Sequence, residues 1–164
     1  MHARPVARAL MLAFLAAVGL PAAAETFLVA VAETDAGEPS RPPLAAREGI
    51  FSALFEADHI GFEVPADWPP RSTDELARLA TDAGAPVVAM VVVDWHREGM
   101  HGGALRLSAR GEIVLVDALT GAERARFPIA VANDGREWIA DRARLGVEIG
   151  AALVEAFRSS AACR

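Results

Sequence analysis

The sequence predicts an α/β (α+β) domain, a mixed β-sheet of about five strands with three helices, in the order β-α-β-α-β-β-β-α. Three observations predict it. Residues 26–32 and 86–95 are short apolar runs of strand length. Helical stripes separate the early strands, which asks for parallel pairing by crossover. Only turn signals separate the later strands, which asks for antiparallel pairing.

Residues 26–32 (TFLVAVA) are apolar on both faces, as a doubly covered central strand requires. Residues 33–43 carry Gly37, Pro39, Pro42 and Pro43 and read as a loop. Over 44–58, Leu44, Ile50, Phe51, Leu54 and Phe55 recur at helical spacing, giving a helix with one buried stripe. Residues 59–64 alternate, with Ile60, Phe62 and Val64 on one side of a half-buried strand. Residues 65–71 (PADWPPR) are a second loop.

Ser72 and Glu75 form an S-x-x-E capping box, in which each side chain can satisfy an orphan amide of the first turn. Leu76, Leu79 and Ala80 line one face of this helix, Gly84 ends it as a left-handed cap, and Pro86 blocks its continuation. Residues 86–95 (PVVAMVVVDW) are the clearest strand, and 96–103 (HREGMHGG) a glycine-rich turn. Residues 104–118 alternate as one long strand or as two joined at Arg110-Gly111. A turn at 119–121, a strand at 122–132 and the turn signal Asn133-Asp134-Gly135 follow. Residues 136–159 form the last helix, with Trp138, Ile139, Leu145, Ile149, Leu153 and Phe157 as its apolar stripe.

The N-terminus has three regions. Residues 1–8 carry Arg4 and Arg8, residues 9–20 are uncharged and apolar, and Ala22-Ala23-Ala24 follows Pro21. That is the pattern of a cleaved signal peptide over 1–24, cut before Glu25. The apolar run is too short for a spanning helix, which needs about 20 residues. No cysteine stands at the cut to carry a lipid. The expected product is one domain over 25–164 in the periplasm or secreted, without stable membrane insertion after cleavage. The chain has 16 basic and 22 acidic residues, and loss of Arg4 and Arg8 takes its net charge from −6 to −8. An acidic domain without a basic run is a poor candidate for nucleic acid or anionic lipid, so neither is expected as a partner. The single cysteine, Cys163, cannot form an internal disulfide, and its pairing between chains stays open.

Asp94, His96, Glu98 and His101 crowd one hairpin, and imidazole with carboxylate is chemistry that binds zinc or copper. Their spacing matches no fixed metal motif, so the expected reading is a solvated hairpin tip, with Asp94, His96 and His101 as the metal candidates. His59, beside Asp58, is expected at the surface or in a cap. No G-x-S-x-G elbow, phosphate loop or G-x-G-x-x-G occurs, and Cys163 has no base near it in sequence. No catalytic residue and no cofactor are assigned. Trp68, among the prolines of 65–71, is read as an aromatic anchor for a partner protein, or else as folded back over the sheet edge. Trp95 and Trp138 are expected in the core.

The stretches 80–88 (ATDAGAPVV) and 114–121 (VLVDALTG), with the helix from Trp138, resemble the superfamily of bacterial envelope proteins that includes the TolB N-terminal domain, LpoB and CsgG. The resemblance covers nearly all of 25–164. It implies the fold, an envelope location and the binding of other proteins, and it carries over no catalytic residue. There are departures. LpoB and CsgG are lipoproteins, CsgG adds stretches that build a barrel, and TolB adds a propeller. The expected function is a non-enzymatic exported protein-interaction domain assisting envelope assembly, secretion or signalling, with unidentified envelope proteins as partners. The alternative is a periplasmic protein that binds a small ligand or metal through the 94–101 hairpin.

Overall fold

The computed structural model describes residues 25–39, 45–64, 72–99, 105–133 and 138–162. Its elements are β1 (Thr26–Asp35), β2 (Glu38–Pro39), α1 (Ala45–Glu56), β3 (Ile60–Val64), α2 (Thr73–Asp82), β4 (Val87–Gly99), β5 (Leu105–Asp117), β6 (Glu123–Asn133) and α3 (Trp138–Ala162). The sheet runs β2-β1-β4-β5-β6, with β3 also pairing β1. β1 is parallel to β3 and β4, whereas β4, β5 and β6 are successively antiparallel. This is the mixed α+β sheet with three helices that the sequence predicts, with the two-residue β2 added. β4 occupies one edge of β1 along residues 27–35. β3 and β2 therefore share its other edge, β3 at residues 26–30 and β2 at 34–35.

The two faces of the sheet bury different layers. Phe27, Val29 and Val31 of β1, Val87 to Trp95 at alternate positions of β4, and Leu107, Ile113 and Leu115 of β5 pack under α1 and α3. The opposite face packs Leu28, Val88, Val114 and Val116 under α2. Fully burying one such aliphatic side chain stabilises the fold by about 1.5–3 kcal/mol. α1 and α3 approach backbone to backbone. A Cβ on Gly49 would lie 2.4 Å from the Val147 nitrogen, and one on Gly146 would lie 2.6 Å from the Ala46 oxygen.

That closeness corrects the expected stripe of α1. The helix buries Ala46, Ile50, Ala53 and Leu54, while Phe55 is 81% exposed. Small residues, not the phenylalanine, make the interface, because only they allow the helices so near. β3 departs too. Val64 is buried, but Ile60 and Phe62 are 54% and 46% exposed. Their face is that of α2, and a ten-residue helix spans only about 15 Å. It covers β1, β4 and β5 and leaves the edge strand open.

α2 begins as predicted: Ser72 has extended backbone and its Oγ accepts from the Glu75 amide at 3.3 Å. It ends on Gly84, at φ +70, with Ala85 N–H donating to Ala80 O at 2.8 Å and Gly84 N–H to Thr81 O at 3.1 Å. That pair of bonds is a Schellman cap, which needs the left-handed residue glycine tolerates. The predicted loop at 33–43 and turn at 96–103 are shortened by longer strands. β1 runs on to Asp35, which pairs with Trp95, and β4 runs on to Gly99, which pairs with Leu105. β5 is one strand, and its Gly111 lies so close to β4 that a Cβ there would meet the Val92 oxygen at 1.9 Å. Leu44, the 65–71 loop, the glycine-rich turn from residue 100 and Cys163 lie outside the described residues, as do the Trp138 and Ile139 side chains.

Candidate functional site

β4 alternates its side chains between the two faces, so Asp94 and His96 share the α2 face beyond the end of α2. The His96 Nε2 lies 3.0 Å from Asp94 Oδ2. Asp94 Oδ1 accepts from the Thr34 hydroxyl at 2.6 Å and the Gly37 amide at 3.0 Å. Burial raises the Asp94 carboxyl, but those two donors and the nearby His96 outweigh it and hold it below its ordinary value. The pair thus ties β4 to the tight Ala36-Gly37 turn between β1 and β2. The sequence placed Asp94 and His96 together and the structure does so. Among the described residues no group of three or more His, Cys, Asp or Glu side chains converges as metal ligands. His101 and Trp68, the other two candidates, lie outside the described residues.

Around this pair no described element covers the sheet. Asp94 stands opposite Arg110, His96 opposite Ser108 and Glu98 opposite Arg106. Ala130 and Ala132 of β6 continue the same rows. A shallow depression of about 210 Å³ is lined by Glu98, Arg106, Ser108, Arg110, Ala130 and Ala132. Short alanines on β6 and long arginines on β5 make a concave, mixed-charge surface. Nearer α2 the charges are paired, with Arg126 bound to Glu112 at 2.5 Å and to Glu123 at 2.7 Å.

On the helix face the same end of the sheet holds a polar group that the sequence reading missed. Trp95 is fully buried, as predicted, and its indole donates to Glu33 Oε2 at 2.8 Å. Burial pushes the Glu33 carboxyl up. The indole opposes that, as do Arg142 and the amides of Arg47 and Ala46 at the start of α1. Arg142 of α3 is 2% exposed, bonds Asp35 at 2.7 Å and lies 5.0 Å over the Trp95 ring. The cluster ties the first turn of α1 and the second turn of α3 to β1 and β4. Its sequence signal is an acid directly after an apolar strand run, at Glu33.

His59 corrects another expectation. It is buried, its ring edge-on to Phe27 at 5.3 Å and Phe157 at 5.7 Å, with the Glu25 amide 3.4 Å from its Nδ1. The turn from α1 into β3 carries it under α3, where burial, and then the charge of Arg158, favour a neutral imidazole.

No family model and no curated protein sequence matches the chain. Solved structures share its fold. A PelC dodecamer from Paraburkholderia phytofirmans aligns at TM-score 0.55 and 14% identity, over 81% of this chain and 90% of that one. Lipoprotein GNA1162 from Neisseria meningitidis aligns at TM-score 0.52 and 13% identity, over 82% and 99%. Protein XCC0632 from Xanthomonas campestris, of family DUF330, aligns at 0.54 and 8%, over 88% and 91%. A looser likeness reaches the LpoB C-terminal domain from Salmonella enterica, at TM-score 0.41 and 17% identity over 76% and 93%. None of these four is a TolB or CsgG protein. Among the described residues no helix is long and apolar enough to cross a membrane. At such identities the likeness is one of fold alone: this chain is built like known bacterial proteins, a lipoprotein and a dodecamer-forming protein among them.

Proposed function

We propose that the chain is an exported, non-enzymatic envelope protein that works by binding other proteins. The observation that carries the reading is the half-covered sheet. α2 shields Leu28, Val88, Val114 and Val116, while the half bearing Asp94, His96, Arg106, Arg110, Ala130 and Ala132 faces solvent as a shallow, charged concavity. Flat or shallow polar surfaces rimmed by arginine suit protein partners better than small molecules, which need deep apolar pockets. The share of the fold held in common with a lipoprotein supports the envelope setting, and the signal-peptide pattern of residues 1–24 supports export.

Two measurements test this reading. N-terminal sequencing of the protein recovered from the envelope fraction should start at or near Glu25. A photo-crosslinker placed at Ser108 should capture an envelope protein in living cells, and one at Arg144 on the exposed side of α3 should not. Full-length protein in the cytoplasm, or equal capture from both positions, would refute it. The Asp94–His96 pair favours a second reading, metal binding at this end of β4. It is tested by calorimetric titration with zinc, where binding tighter than about 1 µM that is lost in His96→Ala would establish it.

A further inference from the structure

We infer that β3 is a self-association edge, on which a second copy of this chain docks its own β3 antiparallel about a two-fold axis. This goes beyond the partner-binding reading and involves a different edge of the molecule.

In a parallel pair the N–H and C=O of one residue point to the same neighbour. Ile60 N–H donates to Glu25 O at 3.0 Å. Ile60, Phe62 and Val64 therefore spend their backbone groups on β1, and Gly61 and Glu63 present theirs outward. No backbone bond from another described element reaches them. Natural sheets blunt such edges with proline, charge or a bulge. The opposite edge strand does so, for β6 carries Pro128, Arg124 and Arg126 and an irregularity opposite Leu115/Val116. β3 (IGFEV) has no proline, its one charge is paired, and it exposes Ile60 and Phe62. Phe55, in the last turn of α1 before β3, is exposed as well.

The occupant follows from register. Only a pairing centred on Phe62 matches all five residues of the strand with a second copy. It sets Gly61 opposite Glu63 and Glu63 opposite Gly61, so the outward backbone groups of both copies are satisfied together. Each Glu63 then meets a residue without a side chain, while its charge stays bound to Arg47 of its own α1. Phe62 faces Phe62 across a close, non-hydrogen-bonded pair, and Ile60 faces Val64, the kind of cross-strand contact that stabilises sheets. Centring on Glu63 would instead oppose two carboxylates and shorten the overlap.

The full chain, purified as the expressing cell processes it, is tested by sedimentation velocity over a concentration series. A dimer is expected for the wild type, and a folded monomer for Phe62→Arg over the range where the wild type is paired. A wild type that stays monomeric throughout, or a Phe62→Arg variant that dimerises equally, overturns the inference. Should Phe62→Arg fail to fold, disulfide trapping in a Cys163→Ser background decides. Facing residues at position 62 lie about 4.5 Å apart at Cα, within disulfide reach. Residues at position 63 lie two places out of register, about 8–9 Å apart. Oxidation should cross-link Phe62→Cys and spare Glu63→Cys; the reverse, or equal linkage, overturns the register and the inference with it.

Discussion

The indole of Trp95 donates to the Glu33 carboxylate at 2.8 Å, while the Arg142 guanidinium lies 5.0 Å over the same ring and bonds Asp35 at 2.7 Å. Two acids, one cation and an indole, from two strands and a helix, thus meet around one largely buried guanidinium. The arrangement is tight because removing the cation leaves buried acid behind. Arg142→Met should cost about 3 kcal/mol, the usual loss when one partner of a buried ion pair is deleted. Urea denaturation measures it. A cost under about 1 kcal/mol would mean that water already reaches Asp35 and Glu33.

His59 makes stability depend on pH. Burial lowers its imidazole below the ordinary 6.5, and Arg158 adds to that, with Glu25 and Asp58 opposing. Above 6.5 the ring is neutral in the folded and unfolded chain alike. As pH falls through 6.5 the unfolded chain takes up a proton that the folded chain resists, so stability drops until the folded value is passed. His59→Phe should therefore lose less stability than the wild type between about pH 7.5 and about pH 5.5. Parallel pH curves for the two proteins would show that His59 is protonated in place.

Much of this fold was legible because its punctuation is local. Ser72 with Glu75, and Gly84 with Pro86, mark the two ends of α2 within a few residues of the bonds they make. The closeness of Asp94 and His96 in sequence likewise puts both in one hairpin. What escaped depends on distant neighbours. The partners of Asp94, Thr34 and Gly37, lie 60 and 57 residues away. Arg97 and Glu98 read as turn residues, and only their pairing with Leu107 and Arg106 makes them strand. Phe55 reads as part of the stripe because a large side chain is a strong apolar signal, whereas Gly49 and Ala53 give almost none. His59 reads as a surface or capping residue beside Asp58, because nothing local shows that Phe27 and Phe157 close over it.

The turn between β5 and β6 rests on Asp117. Its Oδ1 accepts from the amides of Leu119 and Thr120 at 3.1 and 3.0 Å, and its Oδ2 from Arg124 at 2.5 Å. Arg124 is the extra residue of the bulge between the Leu115–Ala125 and Val116–Glu123 pairs, which aims its side chain back at the turn. The Arg124 guanidinium, then the Thr120 amide, hold the Asp117 carboxyl at about 2 against an ordinary 3.8. The resulting stabilisation is full above 3.8 and fades as pH falls toward 2. Asp117→Asn keeps the amide acceptor and removes the charge. It should cost about 1 kcal/mol at neutral pH, since the site is partly open to solvent, and nothing in strong acid. An equal cost at both pH values would assign the effect to the turn's shape instead.

Gly146 sets helix propensity against packing. Alanine is favoured over glycine inside a helix by about 1 kcal/mol. At this position, however, a Cβ would lie 2.6 Å from the Ala46 oxygen and 2.8 Å from its Cα. Both are backbone atoms of α1, so no side-chain rotation relieves the clash and the helices must part. Overpacking a close contact costs about 1–3 kcal/mol, and separation would also loosen Ile50, Leu145 and Ile149, which are fully buried along the same seam. Packing should win, so Gly146→Ala is expected to destabilise by about 1–2 kcal/mol net. The scale of the propensity effect alone comes from Ala151→Gly on the exposed side of α3, which should cost about 1 kcal/mol. Thermal melts of both variants decide the sign. A more stable Gly146→Ala would mean that α1 and α3 are held apart by more than the structure shows.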